Sequence, residues 1–345
     1  MARTLPPLRK ISRKTGASVT TVSRVLNGHP NVSPKMREEV LAALREHGYQ
    51  SKPIQTIARP AAAKHRTLAF AITTEIKSRI LEGNLFYTRH LIGFQSACAA
   101  AHCYPLLIDH EQDATVEGGL QCVEEGKVYG VVAEKLPPER LEILRGKVPV
   151  VLFNVASDVP FIDSVLPDVR QAAHEQLDLL HGLGHRSIAC FRVYPGGWQD
   201  QRYWAEFLFH GIHLGLDQPA EFFQPFHFPL RGEVAAIKLF LDRVLSCPRP
   251  PTAIVTYDTY VSALIAECAA RGLKVPDDIS IVGYDDDPAQ TPVPLTTYRQ
   301  NFETMAREAV RLIADRAENP ESPGRTVIVK GEMVVRQSTG PAPAR

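Results

Sequence analysis

Residues 8–49 read LRKISRKTGASVTTVSRVLNGHPNVSPKMREEVLAALREHGY, and this stretch decides the fold of the amino-terminal end. Apolar residues at helical spacing predict a first short helix over 8–14 and a second over 19–27. Gly16 begins the turn between them, and Ser18 stands where a helix N-cap belongs. Two short helices joined by a glycine turn are typical of a helix–turn–helix motif.

The second helix has one apolar and one polar face. Val22, Val25 and Leu26 are predicted to point inward. The polar face carries Thr20, Thr21, Ser23 and Arg24. A third helix is predicted to begin with Ser33 as its N-cap and Pro34 at its first position. Three short helices around one core, with a polar and cationic second helix, are what reading of the DNA major groove requires.

Charge is divided unevenly along the chain. Residues 1–66 contain 13 Lys and Arg against 3 Asp and Glu, whereas the remaining residues contain 26 against 35. The alternative interpretation of the first stretch is a small helical bundle whose polar face is merely solvated. A strongly basic end on an acidic body is instead typical of a domain that binds DNA phosphates. The charge therefore favours DNA binding.

The segments VTTVSRVLNG (19–28) and VSPKMREEVLAALREHGY (32–49) resemble the LacI/GalR family of bacterial transcription regulators. The motif is long and ordered, and later segments match as well, so the resemblance covers nearly the whole chain. It implies that Val19, Thr20 and Arg24 meet base edges. Contacts with the DNA backbone are implied for Ser18, Thr21, Asn27 and Ser33, and Ser23 completes the polar face.

Composition changes in residues 50–66, QSKPIQTIARPAAAKHR, which contain prolines, basic residues and an alanine run. We expect a helix–turn–helix domain over 1–49, a hinge or linker over 50–66, and an effector-binding and dimerisation domain over 67–345. In the family, the hinge forms a helix whose leucine wedge opens the minor groove. Here Ala58 occupies the wedge position and Pro53 falls inside the expected helix, so a flexible basic linker is an equal alternative. Hinge contacts with DNA are assigned to Lys52, Ile57 and Ala58.

Apolar segments such as TLAFAIT (67–73) and VPVVLFN (148–154) alternate with helical patterns in the rest of the chain. This alternation predicts an α/β fold with a doubly wound parallel sheet. Ligands of such sheets bind beyond the carboxyl ends of strands, which singles out Thr73, Asp109 and Asn154. The closing segment TVIVKGEMVVRQST is predicted to form a strand pair.

The resemblance further implies a two-lobed body like that of periplasmic sugar-binding proteins. RYWAEFLFHGI (202–212) resembles the segment that supplies an effector-binding arginine, here Arg202. Asp258 follows the strand AIVTY, where a carboxylate accepts from sugar hydroxyls. Rings expected to face the effector are Phe86 and Tyr87 in the long loop 74–87, Trp198, Phe302, and Tyr257, which replaces the family's usual small polar residue. For Phe86 and Tyr87 the alternative is ordinary core packing.

The sequence gives little support for a membrane protein, a metal site or an enzyme. The sequence has no apolar leader and no apolar run of membrane-spanning length, and its 6 cysteines form no CxxC pair, so we expect a cytoplasmic, reduced protein. His210 and His213 share a helix face, but no third metal ligand follows at fixed spacing. Asp285, Asp286 and Asp287 match a structural loop of the family. Without a phosphate loop or nucleophile elbow, we expect no enzyme, metal or cofactor.

The sequence therefore predicts a homodimeric repressor that reads a near-palindromic operator and whose DNA affinity is controlled by a small ligand. A sugar is the expected ligand, and a nucleobase is the alternative. The resemblance implies that the ligand shifts the population between two arrangements of the lobes. The alternatives are two other classes of protein: a sugar-binding protein that does not touch DNA, and an enzyme on the same α/β layers. The basic first 66 residues argue against the sugar-binding protein.

Overall fold

The chain forms two compact units, Met1–Ala63 and Lys64–Arg345. The computed structural model describes residues 8–26, 32–47, 66–115, 118–192, 198–217, 222, 233–287 and 293–344. In those parts of the chain, no helix combines the length and the apolar character that crossing a membrane requires.

The described part of the first unit contains three helices, α1 (Leu8–Thr15), α2 (Val19–Leu26) and α3 (Pro34–Glu46). Their apolar faces meet in one core, in which Ile11, Val22, Val25, Val40, Ala43 and Leu44 are buried. Gly16, in the turn between α1 and α2, has φ +70°, a left-handed conformation that a β-carbon would strain. The predicted helix–turn–helix is confirmed.

The second unit has two lobes. The first lobe contains β1 (Arg66–Ile72), α4 (Thr74–Leu81), α5 (Leu85–Ala100), β2 (Cys103–Asp109), α6 (Gln121–Glu124), β3 (Gly130–Ala133), α7 (Pro138–Arg145), β4 (Val150–Phe153), β5 (Asp163–Pro167), α12 (Phe302–Glu318) and β10 (Thr326–Val329). Its described strands form a parallel sheet in the order β10-β5-β4-β3-β1-β2. Alternate residues of β1 face opposite sides. Leu68 and Phe70 pack with α5 and α12, and Ala69 and Ala71 pack with α6 and α7.

The second lobe contains α8 (Val169–Gly182), β6 (Ile188–Phe191), α9 (Trp198–His213), α10 (Glu233–Leu245), β7 (Ala253–Thr256), α11 (Asp258–Ala269), β8 (Ser280–Tyr284), β9 (Thr296–Arg299) and β11 (Glu332–Val334). Its described strands follow the order β11-β9-β8-β7-β6, with β11 antiparallel and the others parallel. Helices α8 and α9 cover one face, and α10 and α11 the other. The predicted two-lobed, doubly wound architecture is confirmed.

The described chain passes between the lobes at three places. Pro167 and Asp168 connect β5 to α8, Gln300 and Asn301 connect β9 to α12, and Lys330 and Gly331 connect β10 to β11. The predicted closing strand pair is wrong, because β10 pairs with β5 of the first lobe and β11 with β9 of the second. The residues between β10 and β11 are a crossover and not a hairpin turn.

The segment 74–87 was expected to be a loop but contains α4 and the start of α5. Thr73 caps α4, its hydroxyl accepting from the backbone N–H of Ile76 at 3.1 Å. Asn84 caps α5 in the same way, accepting from the N–H of Tyr87 at 3.3 Å. These side-chain caps allow two helices to follow β1 in close succession.

Candidate functional site

Helix α2 begins with a side-chain cap. The Ser18 hydroxyl accepts a hydrogen bond from the backbone N–H of Thr21 at 3.0 Å, and its oxygen also lies 2.8 Å from the Thr21 hydroxyl. Ser33 caps α3, accepting from the N–H of Met36 at 3.4 Å. Both serines are N-caps as predicted. The cap occupies the hydroxyl oxygen as an acceptor, and a hydroxyl also carries one hydrogen that can be donated.

The face of α2 opposite its buried valines is exposed. Val19, Thr20 and Arg24 lie on this face, whereas Val22 and Val25 are buried on the other. Half-buried between the two faces are Thr21 and Ser23. Among the described residues, no carboxylate forms an ion pair with Arg24. The first unit thus presents a polar, cationic helix face, on which the Arg24 guanidinium has no carboxylate partner among the described residues.

The remaining residues predicted to contact DNA lie outside the described residues. They are Asn27, Lys52, Ile57 and Ala58. Pro53, which bears on the alternative of a flexible linker, also lies outside them. The expectations for the hinge therefore stay predictions.

Hydrogen bonds from two residues, Gln199 and Arg89, join the lobes where the carboxyl ends of their strands meet. Gln199, in the first turn of α9, donates to the side-chain oxygen of Asn154 at 2.9 Å and also to the Asn154 carbonyl. Arg89 of α5 donates to the Asp285 carbonyl at 2.9 Å. We call the space beside these bridges the cleft. Asn154 follows β4, and its role toward an effector stays a prediction; sequence reasoning missed Gln199 and Arg89.

The strand ends of β1 and β2 are tied together. Thr74, the first residue of α4, donates its hydroxyl to the Asp109 carboxylate at 3.0 and 3.1 Å. The backbone N–H of Thr74 donates to Glu111 at 3.1 Å. Thr73 and Asp109 thus lie at one edge of the first lobe, as the parallel topology predicts. In this arrangement their oxygen atoms already accept hydrogen bonds from the protein.

Asp258 is buried in the second lobe. Its two carboxylate oxygens accept from the Thr297 hydroxyl at 2.8 Å and from the backbone N–H of Asp287 at 2.7 Å. Burial raises the pKa of Asp258 to about 7. The two hydrogen bonds act in the opposite direction and lower the pKa by less than burial raises it. Gly283 leaves the space that this carboxylate fills, since a β-carbon there would lie 1.9 Å from Asp258 Oδ1. The structure corrects the expectation of a carboxylate free for sugar hydroxyls, because Asp258 holds the loop after β8.

The structure departs most clearly from the prediction that Arg202 binds the effector. Its side chain is 52% exposed and pairs with Glu206 at 2.7 Å, one helical turn farther along α9. The inward face of α9 instead carries Tyr203 and Phe207, which are buried. Because neighbouring helix positions are about 100° apart, a residue adjacent to Tyr203 cannot share its direction. Arg202 therefore faces away from the residues that surround Tyr257.

The buried cation of the second lobe is Arg192, which follows β6. It is 1% exposed, and its guanidinium lies 3.5 Å from the ring centroid of Tyr203, 4.0 Å from that of Tyr257 and 4.6 Å from that of Tyr284. Tyr257 in turn donates its hydroxyl to Asp200. Three ring faces around one guanidinium form a cation–π cluster. Sequence reasoning missed Arg192, although an arginine at the carboxyl end of an apolar strand, IACFR, was a usable signal.

The aromatic residues predicted for the effector are mostly engaged by protein. The Phe86 ring lies 5.4 Å from that of Phe302, which is buried, and 5.0 Å from that of Tyr87. All three surround His90, whose Nδ1 lies 2.6 Å from the Glu134 carboxylate. The Tyr257 ring covers Arg192. Trp198 is the exception, since it is 47% exposed and adjoins the bridging Gln199. Core packing is thus the better account of Phe86, Tyr87 and Phe302.

The histidine and aspartate clusters rejected as metal sites have structural roles. His210 stacks on His174 with ring centroids 3.9 Å apart and pairs with Asp178 at 2.7 Å. Asp286 pairs with Arg299 at 2.8 Å and with Arg336 at 2.7 Å. These ion pairs hold together the ends of β8, β9 and β11.

Two family models match the chain. "Bacterial regulatory proteins, lacI family" matches residues 8–52, and "Periplasmic binding protein-like domain" matches 177–339. The HTH-type transcriptional regulator MalR of Streptomyces coelicolor is 32% identical over 97% of each chain. The regulator AglR of Rhizobium meliloti is 27% identical over 98% of this chain and 95% of its own.

Solved structures share the fold. A complex of the transcriptional regulator CelR with cellobiose has a TM-score of 0.65 at 24% identity, covering 96% of this chain and 99% of its own. The lac repressor dimer bound to operator and the anti-inducer ONPF has a TM-score of 0.62 at 20% identity, covering 98% and 100%. Both contain the amino-terminal unit as well as the two lobes.

Proposed function

Because the chain belongs to the lacI family of bacterial regulatory proteins and is a DNA-binding transcriptional regulator, we propose that it represses its target genes as a homodimer. The observation that carries the proposal is the exposed polar face of α2, on which Arg24 has no carboxylate partner among the described residues. A two-fold dimer presents two such helices to a near-palindromic operator. The protein then works in the bacterial cytoplasm on nucleoid DNA.

Roles at the operator follow from position on the helix. Val19, Thr20 and Arg24 read base edges, because they occupy the exposed face of α2. The residues that hold the DNA backbone are Ser18, Thr21, Ser23, Asn27 and Ser33, with Lys52, Ile57 and Ala58 contributing from the hinge. The net positive charge of residues 1–66 supplies the sequence-independent part of the affinity.

Replacing Arg24 by alanine is expected to weaken operator binding by about 1–3 kcal/mol and to relax the preference at one base pair. The reason is that a guanidinium recognises guanine through two hydrogen bonds, which alanine cannot replace. The measurement is fluorescence anisotropy of the full chain on operator and on random DNA at one salt concentration.

Arg13→Ala is the matched control, because it removes one exposed positive charge from α1 and not from α2. Arg13→Ala should weaken binding to both DNAs about equally. If Arg24→Ala behaves in the same way, Arg24 contacts phosphate and the assignment to base edges is wrong.

We further propose that the cleft binds a small polyhydroxylated ligand, namely a sugar. Asn154 and Gln199 offer amide donors and acceptors at the point where the lobes touch, and Trp198, which precedes Gln199 in the chain, offers an exposed ring. A ligand between the lobes replaces the Gln199–Asn154 hydrogen bonds and so favours another lobe arrangement. The CelR neighbour, solved with cellobiose, supports a carbohydrate.

A thermal-shift screen of sugars on the full chain tests this proposal, because a ligand at 100 times its Kd adds about 2.7 kcal/mol of stability. Trp198→Ala is expected to weaken the binding of a sugar so found about fivefold, through the loss of about 1 kcal/mol of apolar contact. Phe209→Ala is the control, since Phe209 is an exposed ring on the same helix. Equal affinity of both variants would place the ligand elsewhere.

The rival function is a sugar-binding protein that delivers or senses its ligand without DNA. Its support is the two-lobed body, which the chain shares with periplasmic binding proteins. The capped α2 and the basic first 66 residues have no role in such a protein. Retention on DNA that falls steeply with added salt separates the two functions.

A further inference from the structure

A groove of about 430 Å³ lies where two of the lobe crossovers meet α5. We call it the hinge groove, after the crossovers between the lobes, and it does not involve the hinge of residues 50–66. Arg89 lines it from α5, Arg299, Gln300 and Phe302 from the β9–α12 crossover, and Lys330 and Glu332 from the β10–β11 crossover. Its volume falls in the range of pockets that hold small molecules. Of the residues predicted for the effector, Phe302 alone lines the hinge groove.

The hinge groove has a small net positive charge, because Arg89, Arg299 and Lys330 line it together with the carboxylates of Glu303 and Glu332. Within the described residues, Lys330 forms no ion pair, and Arg89 meets a backbone carbonyl and no carboxylate at ion-pair distance. Arg299 is shared between Asp286 at 2.8 Å and Glu332 at 2.9 Å. The charge of Arg89 also acts on the Asp287 carboxyl, whereas Lys330 has no carboxylate partner among the described residues. A groove wall with these two cations attracts an anion.

A buried amide in the same wall has an unused acceptor. Gln300 is 6% exposed, and its Nε2 donates to Asp285 at 2.5 Å. Its Oε1 is buried and finds no donor among the described residues. A buried carbonyl oxygen without a donor is unfavourable, so a ligand that supplies a hydroxyl would relieve that cost.

We propose that the hinge groove is a second ligand site, separate from the cleft, for a small hydroxylated organic anion. The anionic group, a phosphate or a carboxylate, lies between Arg89 and Lys330, and a hydroxyl donates to Gln300 Oε1. The ligand contacts both α5 and the crossover segments whose backbone must rotate when the lobes move. It therefore couples to the cleft, and each ligand changes the affinity of the other by the same factor.

The test is isothermal titration calorimetry of the full chain with ribose 5-phosphate, ribonate and ribose. We expect at least one anion to bind at least about tenfold more tightly than neutral ribose. Tighter binding of ribose 5-phosphate assigns a phosphate to the site, and tighter binding of ribonate assigns a carboxylate. Absence of binding by both anions at about 10 mM would overturn the proposal.

Variants locate the site. Lys330→Gln should weaken the binding of the anion about tenfold, whereas Lys274→Gln should not. Lys274 is the control because it is exposed and lies before β8, at the end of the strands opposite the cleft. Equal affinities of Lys330→Gln and Lys274→Gln would overturn the proposal. So would loss of anion binding in Gln199→Ala, because that result would place the anion in the cleft.

Discussion

Replacing Asp163 by alanine is expected to lower the free energy of unfolding of the two-lobed unit by about 3–5 kcal/mol. Asp163 is fully buried at the start of β5, and its carboxylate accepts from the Arg316 guanidinium at 2.7 and 3.2 Å. It also accepts from the backbone N–H of Arg325 at 2.8 Å. Without this carboxylate, the buried charge of Arg316 is uncompensated, which costs more than the intact pair contributes.

Urea unfolding followed by tryptophan fluorescence measures this loss. Both tryptophans, Trp198 and Trp204, lie in α9, so the signal reports on the two-lobed unit and not on the helix–turn–helix. Asp315→Ala is the control, because Asp315 is partly exposed and pairs with Arg311 and Arg325. Pairs of that kind contribute at most about 1 kcal/mol.

A double variant separates charge from packing. Asp163→Leu combined with Arg316→Leu removes both charges, so it should recover much of the stability that Asp163→Ala loses. Equal losses in Asp163→Ala and Asp315→Ala would show that the buried ion pair does not hold β5 to α12.

The helix–turn–helix was predictable because its signals are local. Ser18 and Ser33 cap the helices that follow them, and Gly16 supplies the left-handed turn. Each signal acts over three or four residues, so the sequence contains it in full. The sheets were predictable for a similar reason, since apolar strands alternating with helices allow few other arrangements.

The cleft was harder to predict, because its residues depend on helix rotation and on distant contacts. Helix α9 carries large apolar side chains on several sides, including the exposed Phe209, so periodicity does not reveal which side is buried. Resemblance to the family favours Arg202, whereas the structure places Arg192 among the tyrosine rings of the second lobe. The bridge from Gln199 to Asn154 and the pair of Asp163 with Arg316 join residues 45 and 153 positions apart. Nothing local in the sequence specifies such contacts.

Replacing Asp258 by asparagine is expected to stabilise the two-lobed unit at pH 8. Burial raises the pKa of Asp258 from 3.8 to about 7. Between about pH 4 and 7 the folded state keeps a proton that the unfolded state has released, so the free energy of unfolding falls as the pH rises. Above pH 7, the cost of ionising the buried Asp258 carboxyl lowers the free energy of unfolding by about 4 kcal/mol, at about 1.36 kcal/mol per pKa unit. Asparagine resembles the protonated carboxyl and does not ionise.

The hydrogen bonds of Asp258 permit this substitution. The asparagine oxygen can accept from the N–H of Asp287, and its amide can donate to the Thr297 hydroxyl, in place of the bonds at 2.7 and 2.8 Å. Urea unfolding at several pH values between 4 and 8 is the measurement. The Asp258→Asn variant should lose much of the decline in stability that the parent shows across this range. Some decline should remain, because burial and the charge of Asp258 also raise the pKa of Asp285.

Asp242→Asn is the control, since Asp242 is an exposed carboxylate of the same lobe that pairs with Arg271 at 2.6 Å. Its substitution removes one exposed ion pair, which contributes at most about 1 kcal/mol, so the decline in stability that the parent shows should remain. If Asp258→Asn shows the same decline between pH 4 and 7 as Asp242→Asn, then Asp258 ionises normally. Its burial beneath the loop after β8 would then cost the folded state nothing.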